Sequence, residues 1–123
     1  MPKRTLVAVV DDDASVRESL PDLLREFGFA VKAFESAEDF FASDSMHKAR
    51  CLILDVAMPG MSGPDLLNEL KLRGEQTPTV FITALADETV RSRLFELGAV
   101  ECLLKPFSDT ALRDAVHIAL RRD

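Results

Sequence analysis

The sequence predicts an α/β fold in which one parallel sheet of five strands is flanked by five helices. Three observations predict it. Five short apolar-rich runs lie along the chain at Leu6–Val10, Phe29–Phe34, Cys51–Leu54, Thr79–Thr83 and Val100–Leu104, and such runs suit strands buried on both faces of a sheet. Each is followed by a stretch whose apolar residues recur at helical spacing. That alternation with short connections implies parallel βα units with right-handed crossovers. The length, 123 residues with 47% hydrophobic and 29% charged, is enough for one domain with a real core.

Leu6–Val10 is the first strand and ends at Asp11, Asp12 and Asp13. Val16, Leu20, Leu23, Leu24 and Phe27 then mark a helix, and Gly28 stands where a glycine ends one. Pro21 lies inside this pattern, removes one backbone donor and predicts a kink. Phe29–Phe34 is the second strand, and Ser36 caps a short helix over Ala37–Ser43. The polar stretch Ser43–Arg50 leads to the third strand, Cys51–Leu54, and to Asp55. A tight loop with Pro59, Gly60 and Gly63 follows, and Pro64 is placed as the first residue of a helix carrying Leu66, Leu67 and Leu70. Gly74 and Pro78 mark a loop before the fourth strand, Thr79–Thr83. Asp87 caps a helix with Val90, Leu94 and Leu97 on one face, closed by Gly98. Val100–Leu104 is the fifth strand, with Lys105 at its end. Ser108 or Asp109 starts a last helix whose Leu112, Ala115, Val116, Ala119 and Leu120 face inward.

Composition excludes some functions. A net charge of −6 argues against direct nucleic-acid binding, which asks for a basic face. No apolar run approaches the ~20 residues that span a bilayer, so a cytoplasmic protein without membrane contact is expected. Cys51 and Cys102 sit inside apolar runs and read as buried free thiols rather than a disulfide or metal pair. No glycine-rich nucleotide-binding fingerprint follows the first strand.

In parallel sheets of this kind the ligand site lies beyond the carboxyl ends of the strands. The distinctive residues fall there: Asp11 and Asp12 after the first strand, Asp55 after the third, Thr83 after the fourth and Lys105 after the fifth. Gathered carboxylates repel one another unless a cation compensates. A carboxylate-only donor set suits Mg²⁺, with Mn²⁺ as an alternative, and the absence of adjoining His or Cys disfavours zinc or copper. Lys105 and Thr83 offer a point charge and a hydroxyl to phosphoryl oxygens, and a carboxylate can act as the nucleophile that becomes an aspartyl phosphate.

With Asp-Asp after strand one, the loop Asp55-Val-Ala-Met-Pro-Gly-Met-Ser-Gly63, Thr83-Ala84 and Lys105-Pro106, the sequence resembles the response-regulator receiver domains of the CheY-like superfamily. The likeness runs from Thr5 to Leu120, and stretches such as VAVVDDDASVRESL, FITALADE and GAVECLLKPF look most like the FixJ-type branch of two-component systems. The resemblance implies a flavodoxin-like (βα)5 fold with strand order 2-1-3-4-5. It implies that Asp55 accepts a phosphoryl group from a sensor histidine kinase or a small donor such as acetyl phosphate. Asp12, Asp55 and the backbone carbonyl of Ala57 would bind Mg²⁺ directly, and Asp11 would act chiefly through a water. Lys105 would contact the phosphoryl group, Thr83 would turn inward once Asp55 is modified, and Ala84 would leave room for the incoming group. The Lys105–Pro106 bond would be cis. Ala57 and Leu85 would tune phosphoryl lifetime through water access. The activity implied is self-phosphorylation and autodephosphorylation only, not turnover of a substrate.

The family normally carries Tyr or Phe three residues before the lysine, as a rotamer switch coupled to the threonine; here that position is Cys102. Either Cys102 packs as a small hydrophobe and switching relies on Thr83 and backbone shifts, which is the reading preferred, or the aromatic step is lost. The reporter surface implied is the fourth predicted helix, the fifth strand and the fifth helix, with Val90, Leu94, Val100 and Glu101 as candidates, either for a homodimer formed on phosphorylation or for an output domain. Residues 1–123 are expected to form one receiver domain, standing alone or as the N-terminal part of a longer regulator with a helix-turn-helix domain. A rival reading, a Mg²⁺-dependent aspartyl phosphohydrolase, needs a second acid two residues after the nucleophile, where this chain has Ala57. A second rival is a docking module without phosphotransfer, which the complete acidic set disfavours. Met58 and Met61 read as loop packing. His47 and His117 read as surface or boundary residues, and Lys71, Arg73, Arg91, Arg93, Arg121 and Arg122 as solvated charge, with Arg91 and Arg93 candidates for a partner face.

Overall fold

The computed structural model describes residues 4–121. Five parallel strands, β1 (Leu6–Val10), β2 (Ala30–Phe34), β3 (Cys51–Asp55), β4 (Thr79–Thr83) and β5 (Glu101–Leu104), form one sheet in the order β2-β1-β3-β4-β5. The helices among the described residues are α1 (Ala14–Glu26), α2 (Ala37–Phe41), α3 (Ser45–Lys48), α4 (Gly63–Leu72), α5 (Glu88–Glu96) and α6 (Asp109–Leu120). The fold is the one expected, with a sixth helix added. The polar stretch before β3 holds the single turn α3, whose Ser45 and Met46 turn into the protein.

The apolar runs are continuous because both sheet faces are covered. Ala8, Val10, Leu52, Leu54 and Phe81 point to one side, where Phe40, Met46, Leu66, Leu70 and Leu94 complete a core. Val7, Val9, Cys51, Ile53, Val80 and Ile82 point to the other, against Leu20, Leu24, Leu112, Ala115 and Val116. Successive strand residues alternate in direction, so neighbouring residues feed opposite cores. The central strands β3 and β4 are buried throughout, whereas the margins β2 and β5 are only partly so.

Helix boundaries follow local chemistry. Asp13, Ser36, Ser62, Asp87 and Ser108 each cap a helix by accepting backbone N–H bonds. Ser62 and Asp65 form a reciprocal capping box, and α4 starts at Gly63, one residue before the predicted Pro64. Pro21 stays within a continuous α1 and is buried. Gly28 closes α1 with φ +100°, a conformation costly for any residue with a Cβ. Of the residues expected to face inward on α6, Leu120 is only half-buried.

Candidate functional site

Strand register brings the acidic residues together. Val10 pairs with Leu54 across β1 and β3, so Asp11 follows on β1 just as Asp55 follows on β3. Asp55 pairs with Ile82 and Thr83 with Leu104, which sets Thr83 and Lys105 along the same rim. One carboxylate oxygen from each of Asp11, Asp12 and Asp55 lies within 4.8 Å of the others.

Asp11 is fully buried. Its Oδ1 accepts the backbone N–H of Asp13 at 2.9 Å, and its Oδ2 accepts Lys105 Nζ at 3.1 Å. The same Nζ stands 3.9 Å from Asp55 Oδ1. Lys105 therefore serves two carboxylates and sits closer to Asp11, rather than on Asp55 alone. Asp55 is 8% exposed and Asp12 is open to solvent. Burial and the charges of Asp11 and Asp12 push the Asp55 carboxyl up to about 6, against the opposing pull of Lys105 and of the Ala57 backbone hydrogen bond. The site is thus short of positive charge even with its lysine in place. Its donors are all hard carboxylate oxygens, with no thiol or imidazole in the cluster. A divalent cation of the Mg²⁺ or Mn²⁺ type fits both the charge deficit and the donor chemistry.

Thr83 is buried, and its Oγ1 accepts the backbone N–H of Leu85 at 3.0 Å. Ala84 and Ala57 are exposed beside the rim. The Lys105–Pro106 peptide is cis. Cys102 pairs in register with Phe81 and is 6% exposed. It lines a cavity of about 130 Å³ together with Thr83, Val90, Leu94, Arg91 and Leu104. Both cysteines are free. Burial pushes the Cys51 thiol up to about 12 and raises that of Cys102, so both behave as small apolar side chains.

Other expectations change. Leu94 and Val100 belong to the core and cannot form a contact surface; Leu94 turns inward because it packs in the cluster that holds Phe81. Val90 and Glu101 remain partly accessible, joined by Leu104, Leu85 and Phe95. His47 is exposed but pairs with Glu75 at 2.8 Å. His117 is exposed and meets the Phe29 ring edge-on. Met58 is buried, and Met61 packs against the same core. Lys71 donates to the Leu97 carbonyl, and Arg73 lies 4.3 Å over the Phe41 ring. Arg91 bonds the Cys102 carbonyl at 3.2 Å. These three are anchored rather than merely solvated. Arg122 lies outside the described residues.

Arg17, which the sequence does not single out, and Gly63, which it places only in the loop after Asp55, both support the site. Arg17 Nη1 donates to the Asp11 carbonyl at 3.0 Å, steadying the end of β1, and nothing in its sequence context distinguishes it from Arg25. Gly63 donates to Val56 O at 3.0 Å. A Cβ there would collide with the Asp55 carbonyl and press on Phe81. The sequence signal was a glycine between a capping serine and a proline.

Comparison with known proteins agrees with this geometry. The family model described as response regulator receiver domain matches residues 7–117. The chain is 42% identical over 120 residues to Nodulation protein W of Bradyrhizobium diazoefficiens, covering 98% of this chain and 53% of that protein. It is similar to the structure of response regulator StyR (TM-score 0.88, 44% identity, 96% of this chain and 60% of that one). It also resembles the crystal structure of FixJ-N (TM-score 0.88, 35% identity, 99% and 98%). The chain spans about half the length of the curated relatives it matches.

Proposed function

The chain belongs to the response-regulator receiver domain family, and from that premise we propose that it is a phosphorylation-controlled switch with Asp55 as acceptor. The observation that carries this reading is the shared lysine. Lys105 bridges Asp11 and Asp55, and Asp55 still titrates near 6. That rise in the cation-free cluster marks the charge deficit a divalent ion would fill, and at neutral pH the carboxylate is ionised and so available as a nucleophile.

One Asp55 carboxylate oxygen attacks the phosphorus of the donor. The bond from phosphorus to the donor's leaving atom breaks, that atom keeps the electron pair, and an acyl phosphate forms. Lys105 Nζ, already within reach of Asp55, neutralises charge on the phosphoryl oxygens. Asp11 holds that ammonium in place, and Arg17 holds Asp11. Thr83 gives up the Leu85 N–H bond to donate its hydroxyl to a phosphoryl oxygen. When bound by Asp11, Asp12, Asp55 and the Ala57 carbonyl, Mg²⁺ would supply the positive charge the cluster lacks. Ala57 supplies no second acid, which disfavours a phosphohydrolase. A histidine kinase is the natural donor class and the setting cytoplasmic. Output passes either to a C-terminal domain of a longer regulator or to a homodimer.

Incubation with acetyl phosphate and Mg²⁺ tests the reading. Intact mass should gain one phosphoryl group on the parent and none on Asp55→Asn. Equal labelling of both would refute it.

A further inference from the structure

The strand β5 lies at the margin of the sheet, with only β4 beside it. At Cys102 both backbone polar groups are taken up by side chains. The Cys102 N–H donates to Glu101 Oε1 at 2.9 Å, and its carbonyl accepts Arg91 Nη1 at 3.2 Å. Arg91 Nη2 stands 3.6 Å from the same Glu101 Oε1, and its guanidinium lies 5.2 Å over the Phe95 ring. One arginine of α5 therefore clasps that helix to the backbone of β5.

The clasp sits beside the cavity of about 130 Å³ that Cys102 leaves between α5 and β5. Thr83 lines the same cavity, and its hydroxyl is held by Leu85 N–H in the loop that runs into α5 through the Asp87 cap. Thr83 can leave Leu85 by turning about its own side-chain bond, and the loop that this releases enters a helix tied down four residues past its cap, at Arg91. The cavity gives α5 room to shift, and the clasp resists the shift. The small Cys102 side chain shares a core cluster with Leu94 of α5, and the Arg91 clasp adds the polar tie between the two elements.

We propose that Arg91, with Glu101, is the positioning residue that sets the switching equilibrium of this receiver: it holds α5 on β5 in the resting state and must loosen when Thr83 turns toward Asp55. The inference rests on the phosphoacceptor reading of Asp55. Breaking the clasp shifts the population toward the form in which Thr83 is free. Arg91→Ala should therefore raise the initial rate of phosphorylation by acetyl phosphate by about threefold, the scale set by losing one half-exposed charged contact. Glu101→Gln should raise it less, because the amide still accepts the Cys102 N–H. Arg91→Lys, which keeps the charge but not the two-pronged contact, should give a rate between those of the parent and Arg91→Ala, and Arg93→Ala on the same helix should leave it unchanged.

Initial rates would be read by intact mass, with amide hydrogen exchange at Cys102 as a second readout that should quicken in Arg91→Ala. Exchange and the Glu101→Gln and Arg91→Lys rates decide the matter if Arg91→Ala folds poorly. A parent that is labelled while every Arg91 and Glu101 variant matches its rate, or a slower Arg91→Ala, would overturn this inference alone. An unlabelled parent, or Asp55→Asn labelled equally, would overturn the phosphoacceptor reading and this inference with it.

Discussion

Replacing Asp55 by Asn should stabilise the folded protein at neutral pH when no divalent cation is present. The Asp55 carboxyl is pushed from 3.8 up to about 6 by burial and by Asp11 and Asp12. The native state therefore holds this proton more tightly than the unfolded chain does. The group's contribution to stability is full below about pH 3.8, falls as pH rises from there to about 6, and stays lost above it. A shift of about two pH units at about 1.4 kcal/mol each gives a ceiling of about 3 kcal/mol. The amide must find partners, and Lys105 loses the weaker of its two carboxylates, at 3.9 Å. About 1–2 kcal/mol should survive. Urea unfolding of both proteins in EDTA at pH 7.5 and at pH 4 measures it. Asp55→Asn should be the more stable at pH 7.5, and the gap should narrow toward pH 4. A less stable variant at pH 7.5, or a gap that does not change with pH, would refute the electrostatic account of the site.

Other outcomes follow from the same geometry. Saturating Mg²⁺ should raise the unfolding midpoint of the parent and much less that of Asp12→Asn, because a ligand stabilises only the state that binds it; equal shifts would remove Asp12 from the metal set. Lys105→Met leaves the buried Asp11 without its cation and should cost about 3 kcal/mol in urea unfolding at pH 7.5, as well as slowing phosphorylation; unchanged stability would argue against the 3.1 Å pair. Gly63→Ala should destabilise by about 1–3 kcal/mol, through the clash with the Asp55 carbonyl, and reduce labelling by acetyl phosphate; a neutral result would show that the loop after β3 yields easily. Cys102→Phe should cost less than about 1.5 kcal/mol because the neighbouring cavity can take much of a ring; strong destabilisation would show that the space is not open to that position.

The sheet was legible because burial on both faces leaves unbroken apolar runs, as in Cys51–Leu54 and Thr79–Thr83. The convergence of Asp11, Asp12, Asp55, Thr83 and Lys105 was legible because a parallel sheet sends every strand end to one rim. What the sequence could not supply was the partner choice of long side chains. Lys105 could have paired with Asp55 alone, and only three-dimensional placement puts it nearer Asp11. Arg91 and Arg93 are alike by position, yet one reaches the β5 backbone. Leu94 and Val90 share a predicted face, and its rotation decides that the first is buried while the second stays at the boundary. The turn at Ser45–Lys48 escaped notice because four residues are too few to show a period.

The bond between Lys105 and Asp11 joins residues 94 positions apart. During synthesis, Asp11, Asp12 and Asp55 are all present before the lysine that offsets their charge. Until β5 docks, a growing chain would carry three unneutralised carboxylates, an open margin on β4 and no basic group for an incoming phosphoryl. Such a chain should neither retain a phosphoryl group nor pass on a signal. On the phosphoacceptor reading of Asp55, receipt of a phosphoryl group would then wait until β5 has docked.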